Sequence, residues 1–279
     1  MRKQLIIVYI LSAMLANVAA AQYYYKDILS NKQLIAEMTK YKEQNIKIID
    51  VHSFEADQEP SKDFFCEKKI SKDYRKIETY TRSEGTGKTL LTSYFNKDGF
   101  LERSIDSSAT NASSSLYRYD NNGNLISTTT NSRSSDADYV TSSMEIHLYA
   151  YNDKGQLQKM WRIKNNKDTT EIDFVIDENG NVAEEIPTAI DDTHYYYYYN
   201  EKRQLTDIVR YNDIRQKLVP AFIFEYNYVG QVTQMVTVKD GIGSDYNTWQ
   251  YLYDDGLRIK EKCYSKKKEL LGYFEYEYK

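Results

Sequence analysis

The sequence predicts an all-β fold, an antiparallel meander of tandem β-hairpins forming an extended or curled sheet, with one α-helix in front of it. Three observations predict it. A short text of one type recurs along the chain, an aromatic pair at a spacing of two precedes most copies, and the composition holds 28 Tyr against 11 Gly and 3 Pro in 279 residues. A chain so rich in tyrosine and so poor in proline buries enough apolar surface to fold, despite its many Ser, Asn, Asp and Lys residues.

The elements follow in order. MRKQ carries two positive charges and is followed by LIIVYILSAMLANVAA, an apolar run that ends on Ala19-Ala20-Ala21 before Gln22. A basic start, a short apolar stretch and an A-x-A-like site describe a secretory signal peptide over residues 1–21, whereas a membrane-spanning helix needs about 20 apolar residues. Cleavage is expected between Ala21 and Gln22, with no lipoprotein anchor, because no cysteine stands nearby. The expected product is exported, periplasmic or extracellular, and soluble, with no membrane insertion after signal cleavage.

Residues 22–45 read as a helical segment. Leu34, Ile35, Met38 and Tyr41 share one helical face, Ser30 and Gln33 form a capping box, and Asn45 is a natural stop. Residues 46–279 read as the β-hairpin repeat domain, beginning with the β-branched run IKIIDV and two degenerate hairpins, SFEADQEPSKDFF and FFCEKKISKDYRKIETYTR.

Clear repeats run from about residue 90: FNKDGFL, YDNNGNL, YNDKGQL, IDENGNV, YNEKRQL, YNYVGQV and the shortened YDDGLRI. Their turn centres are Gly99, Gly123, Gly155, Gly180, Arg203, Gly230 and Gly256, in steps of 24, 32, 25, 23, 27 and 26 residues. Such periods belong to structural repeats. Pairs such as Tyr117 and Tyr119, Tyr149 and Tyr151, or Tyr251 and Tyr253 place both rings on one strand face. Asp or Asn then bonds its own backbone in the turn, and glycine accepts a positive φ. Arg203 in a glycine position is expected either to avoid positive φ or to hold it under strain. The prolines Pro60, Pro187 and Pro220 fall between or at the edges of strands. YFEYEYK, with Phe274, Tyr276 and Tyr278 on one face, is the closing strand.

A formal charge of −4 gives no reason to expect nucleic acid. Cys66 and Cys263 read as two buried thiols; a Cys66–Cys263 disulfide is the minor alternative and requires the sheet to curl until the Cα atoms come within about 7 Å. EGTGKT, Glu84 to Thr89, lacks the first glycine of a phosphate loop, since Arg82 stands there. His52, His147 and His194 have no partner at metal-ligand spacing and read as partly exposed strand residues, so no metal and no cofactor are expected. The Asp/Asn turns place glycine three residues after the acid, not at the calcium-loop spacing of five. Carboxylates are plentiful, yet no two stand out as an acid/base pair.

Tyr195 to Tyr199 is the most unusual feature. In a strand Tyr195, Tyr197 and Tyr199 take one face, Tyr196 and Tyr198 the other. One reading is core plus cross-strand ladders. The other is an exposed platform of Tyr196 and Tyr198, with Trp161 and Trp249 adding to it, that binds a sugar ring or a protein.

The segments YRYDNNGNLIST, YAYNDKGQLQKM and YYYYNEKRQLTD resemble the YD repeat of Rhs-type proteins, whose unit is written around Tyr-x-Tyr-Asp-x-x-Gly-x-Leu, over roughly residues 90–279. In large relatives these repeats form a spiralling shell around a C-terminal toxin or other cargo, and some are carbohydrate-associated. The resemblance implies hairpin architecture and an envelope or secreted setting. This chain departs from the pattern of those large relatives, since it has only about seven recognisable copies, which read as too few to enclose cargo. The pairing of an exported helix with a short array looks like that of uncharacterised exported proteins of Bacteroidetes-type bacteria. The function expected is a non-catalytic exported envelope protein that binds a glycan or protein through an aromatic sheet face. The alternatives are an envelope polysaccharide or peptide hydrolase, and an accessory or remnant of an Rhs-type toxin system.

Overall fold

The computed structural model describes residues 25–136, 139–189, 193–212, 216–238 and 245–279. The signal-peptide expectation lies outside them. A helix, α1, runs Tyr25–Glu43 and is followed by eighteen strands. The first six are β1 Ile48–Glu55, β2 Phe65–Ile70, β3 Lys76–Ser83, β4 Gly87–Phe95, β5 Leu101–Ser108 and β6 Asn111–Tyr119. Then come β7 Leu125–Asp136, β8 Tyr139–Tyr151, β9 Leu157–Lys164, β10 Asp168–Ile176, β11 Val182–Pro187 and β12 Tyr195–Tyr199. The last six are β13 Leu205–Asn212, β14 Lys217–Tyr226, β15 Val232–Val238, β16 Tyr246–Asp254, β17 Leu257–Ser265 and β18 Leu270–Tyr278.

Each strand pairs antiparallel with its sequence neighbours, and β1 pairs with β18 over seven residues, Ile49↔Tyr278 to Glu55↔Gly272. The ring is therefore closed. This corrects the expectation of an extended or curled sheet. An eighteen-strand sheet with two free edges leaves two rows of backbone donors and acceptors unpaired, and pairing the last strand with the first removes both. Residues 131–136 and 139–140, part of the longest repeat, extend β7 and β8, which pair from Ser127↔Leu148 out to Asp136↔Tyr139.

All repeat turns lie at one mouth of the ring, together with α1 and the Ile48 to Lys279 junction. One turn chemistry serves six of them, while the two-residue β16–β17 turn instead takes two successive positive φ values, +44° at Asp255 and +75° at Gly256. The side-chain oxygen of Asn96, Asp120, Asn152, Asp177, Asn200 or Asn227 accepts the amides two and four residues on, at 2.8–3.2 Å. The amide of the glycine position closes the turn on the same residue's carbonyl. Gly123 has φ +80°, and Arg203 adopts φ +60° in an otherwise identical turn, so this copy holds the left-handed conformation without glycine. The register slips by one residue just after each turn, as between Arg118/Tyr119 and Ala150/Tyr151. Pro220 sits where β13 and β14 slip register, where a missing amide costs least.

The YD tyrosines explain the repeat. Each reaches back to the preceding hairpin and donates its hydroxyl to a backbone carbonyl, Tyr119 to Leu101, Tyr151 to Leu125, Tyr199 to Val182, Tyr226 to Leu205 and Tyr253 to Val232, and Tyr278 of the last strand does the same to Arg258, at 2.6–2.9 Å. The carbonyls lie at the bulges, where the ladder is interrupted. The phenol thus ties successive hairpins around the mouth and contributes about 1 kcal/mol per bond.

The helix starts earlier than the capping-box reading places it. Tyr25 is already helical, so Ser30 is an exposed interior residue and not a cap. Its C-terminal end follows the expectation: Asn45 has φ +58°, and the amide of Ile46 reaches back to the carbonyl of Tyr41 at 2.9 Å. Its buried face, Ile28, Asn31, Met38 and Tyr41, joins two clusters of inward side chains. Ile28 packs with Leu125, Tyr149, Met160, Ile172 and Tyr197, whereas Met38 and Tyr41 pack with Ile49, Val51, Phe95 and Phe274.

Candidate functional site

The helix is tied to opposite walls. At its start, the Tyr25 amide donates to Glu185 Oε2 on β11 at 2.9 Å, and Tyr197 donates its hydroxyl to the same oxygen at 2.8 Å. Asp27 Oδ2 lies 2.6 Å from His147 Nδ1 on β8 and accepts the Tyr149 hydroxyl at 2.7 Å. In its middle Asn31 donates to Tyr119 Oη at 2.7 Å, and at its end Lys40 donates to the Gly256 carbonyl at 2.6 Å. From β8 to the β16–β17 turn is half of the eighteen-strand ring. A 19-residue helix is about 28 Å long, enough to cross most of a ring whose circular form would be about 36 Å wide at ordinary strand spacing and tilt. The helix therefore spans the lumen at the repeat-turn mouth.

His147 is the electrostatic centre of that closure. Its other nitrogen, Nε2, lies 2.8 Å from Glu145 Oε1, and Lys164 approaches Glu145 Oε2 at 3.6 Å. Burial alone would push the imidazole pKa down, but the hydrogen bonds and charges of Asp27 and Glu145 outweigh it and raise it to about 9. The hydrogen bond from His147 holds Glu145 below the usual carboxylate range. His147 corrects the reading of three partly exposed strand histidines. His52 is indeed half-exposed and His194 is part-buried on the outside, but His147 is 9% exposed and faces the lumen. Its parity with Tyr149 and Tyr151 was the available signal. The partner, Asp27, lies 120 residues away and no local pattern announces it.

A second buried group lies under the C-terminal half of the helix. Glu261 accepts from Arg258 at 2.7 Å and from the Tyr276 hydroxyl at 2.6 Å, and the Arg258 guanidinium sits over the Tyr251 ring at 4.4 Å. Burial pushes the Tyr276 phenol far up. Both nitrogens of His147 already face carboxylates, and among the described residues no group of three or more His, Cys, Asp or Glu is placed to hold a metal ion.

The four aromatic residues singled out in the sequence are split. Tyr195 and Tyr197 are buried inside, while Tyr196 and Tyr198 point outward, Tyr198 being 47% exposed. Tyr196 stacks on His194 at 4.2 Å, and His194 Nε2 lies 3.0 Å from Glu184 Oε2. Trp161 also faces outward. Its indole donates to Glu171 Oε2 at 2.8 Å, and Lys159 bridges Glu171 and Asp173. Trp249 does not join them. It shares strand parity with Tyr251 and Tyr253, the inward pair of β16, and is buried against Cys263 and Met235. Cys66 and Cys263 are both buried thiols, and the disulfide alternative is absent. Ring closure brings their strands near, yet β1 and β18 still lie between β2 and β17, about 14 Å of sheet against the 7 Å a bridge requires.

No family model matches this sequence, and no curated protein matches it. Solved structures of low similarity do. A porin-like protein from Bacteroides uniformis is 12% identical, covers 84% of this chain and 98% of its own, and gives a TM-score of 0.37. A porin-like protein from Bacteroides vulgatus is 10% identical over 84% of this chain and 98% of its own, with a TM-score of 0.31. The TcdB2-TccC3 structure is 11% identical and matches 86% of this chain with 17% of its own, at a TM-score of 0.30. At these scores the likeness carries no argument about function.

Proposed function

We propose that this chain is a non-catalytic exported envelope protein whose barrel works as a binding scaffold through its outer wall. The observation that supports it most is α1, which crosses the lumen and is held to both sides by the Glu185, His147 and Gly256 contacts. A helix about 10 Å in diameter lying across the mouth narrows the lumen as an entry for a large ligand, which favours the outer wall as the binding surface. There Trp161, Tyr196 and Tyr198 present flat apolar faces next to carboxylates, the pairing that suits a sugar ring or a protein side chain.

The outer wall is dressed for water. Lys69–Glu67, Lys76–Glu78 and Lys260–Glu275 pairs occupy outward positions along their strands. A lipid-facing barrel instead carries an apolar band about 25 Å tall, in which each Lys or Arg costs about 2–4 kcal/mol near the midplane. No described helix is long and apolar enough to cross a membrane. The YD-type reading of the repeat belongs to this proposal as architecture, since its tyrosines and turn residues serve folding.

Glycan-array screening and pull-down with envelope extract, using the chain from Gln22 onward, test the proposal. Tyr196→Ala/Tyr198→Ala is expected to weaken the binding found at least tenfold, with an unchanged circular dichroism spectrum. Full binding by the double variant would remove the outer platform from the account.

A further inference from the structure

The outer wall is electrostatically two-sided. Strand register puts Glu171, Asp173, Glu184, Asp207 and Glu225 on the outside of β10–β14, opposed on that side by Lys159 of β9. On the outside of β3–β7 the same alternation puts Arg82, Lys88, Arg103, Arg118 and Arg133, with Glu102 of the β5 bulge beside them. The outward Lys69 of the neighbouring β2 and Lys76 of β3 are neutralised locally by Glu67 and Glu78. Among the described residues no ion pair engages Arg82, Lys88, Arg118 or Arg133, and none engages Asp207 or Glu225. The centres of the two walls lie about seven strands apart on the ring.

Both walls also carry exposed apolar side chains. Leu90 and Leu116 are 38% and 43% exposed on the basic wall, and Val175, Tyr198 and Tyr211 are 41%, 47% and 38% exposed on the acidic one. Exposed charges by themselves hold partners weakly, but charges that set orientation around apolar contact give specific association. Tyrosine rings beside carboxylates are well matched to arginine, which stacks on an aromatic face while its fork bonds a carboxylate.

We propose that the partner of the acidic, aromatic wall is the basic wall of a second copy of this chain. The proposal rests on the outer-wall reading above and names its occupant. Because the two walls differ, the contact is heterologous: each copy that docks leaves one wall of each kind free, and barrels add side by side.

Sedimentation velocity of the chain from Gln22 onward tests it. The mean mass is expected to rise at least twofold with concentration at about 20 mM NaCl and to return to that of the monomer near 0.5 M, where charges are screened beyond about 4 Å. Asp173→Lys/Asp207→Lys/Glu225→Lys and Arg103→Glu/Arg118→Glu/Arg133→Glu should each stay monomeric at low salt, and mixing the two variants should restore association. A wild-type chain that stays monomeric at low salt, or association that survives either variant, overturns the proposal. Ligand binding by a strictly monomeric wild type would overturn only this partner and leave the outer-wall reading intact.

Discussion

Loss of the His147 proton should make the barrel lose stability as the pH rises from about 6.5 to 9. In the unfolded chain its imidazole returns to the ordinary value of about 6.5, whereas in the fold Asp27 and Glu145 raise it to about 9. Across that window the native state binds the extra proton, so folding is favoured by it in full below the unfolded value and loses it as the pH passes the folded one. A raise of this size is worth about 3 kcal/mol at 1.36 kcal/mol per pH unit. Asp27 keeps 34% of its side chain in water and Glu145 29%, so solvent screening reduces the expected loss to about 1.5–3 kcal/mol. Urea unfolding followed by far-ultraviolet circular dichroism at pH 6, 7.5 and 9 measures it. His147→Gln keeps a neutral polar side chain and should give a weaker barrel whose stability is flatter over the same range. Equal slopes for the variant and the wild type would refute this linkage.

Other consequences are smaller. Tyr151→Phe removes only the hydroxyl that meets the Leu125 carbonyl and should cost about 1 kcal/mol in urea unfolding, whereas no loss would remove the inter-hairpin tie from the account. Gly123→Ala places a side chain at φ +80° and 2.9 Å from the Phe100 ring, so a destabilisation of about 1–3 kcal/mol is expected. Arg203→Gly relieves φ +60° in the equivalent turn and should be neutral or stabilising by up to about 1 kcal/mol; clear destabilisation would mean that the arginine side chain has a role of its own. Thiol titration of the denatured, unreduced protein should find both Cys66 and Cys263 reactive.

The local parts of this fold were legible because they rest on short-range physics. Turn positions followed from Asx and glycine chemistry, strand faces from period-two alternation, and the helix stop from Asn45 in the left-handed region. Closure was not legible. An open meander and a ring use the same hairpins, and the difference lies in Ile49↔Tyr278 pairing across 229 residues, which no local pattern encodes. The His147 latch was hidden for the same reason, since His147 and Asp27 look unremarkable until a helix and a strand are brought together. The role of the repeat tyrosine was half legible. Its burial followed from parity, whereas its hydroxyl's partner depends on the neighbouring hairpin. Trp249 points inward because it shares strand parity with Tyr251, and Trp161 faces outward because the bulge after Leu157 shifts alternation by one.

Ring closure is the central claim, and a cross-link at the seam tests it most directly. His52 of β1 and Glu275 of β18 are paired across the seam and face outward. In a Cys66→Ser/Cys263→Ser background, His52→Cys/Glu275→Cys should form an intramolecular disulfide on mild oxidation, seen as faster migration on a non-reducing gel and as two lost thiols. The pair should react as readily as Thr248→Cys/Tyr264→Cys, its counterpart between the sequence neighbours β16 and β17. A seam pair that stays reduced while the neighbouring pair oxidises would show an open sheet and contradict the closed barrel.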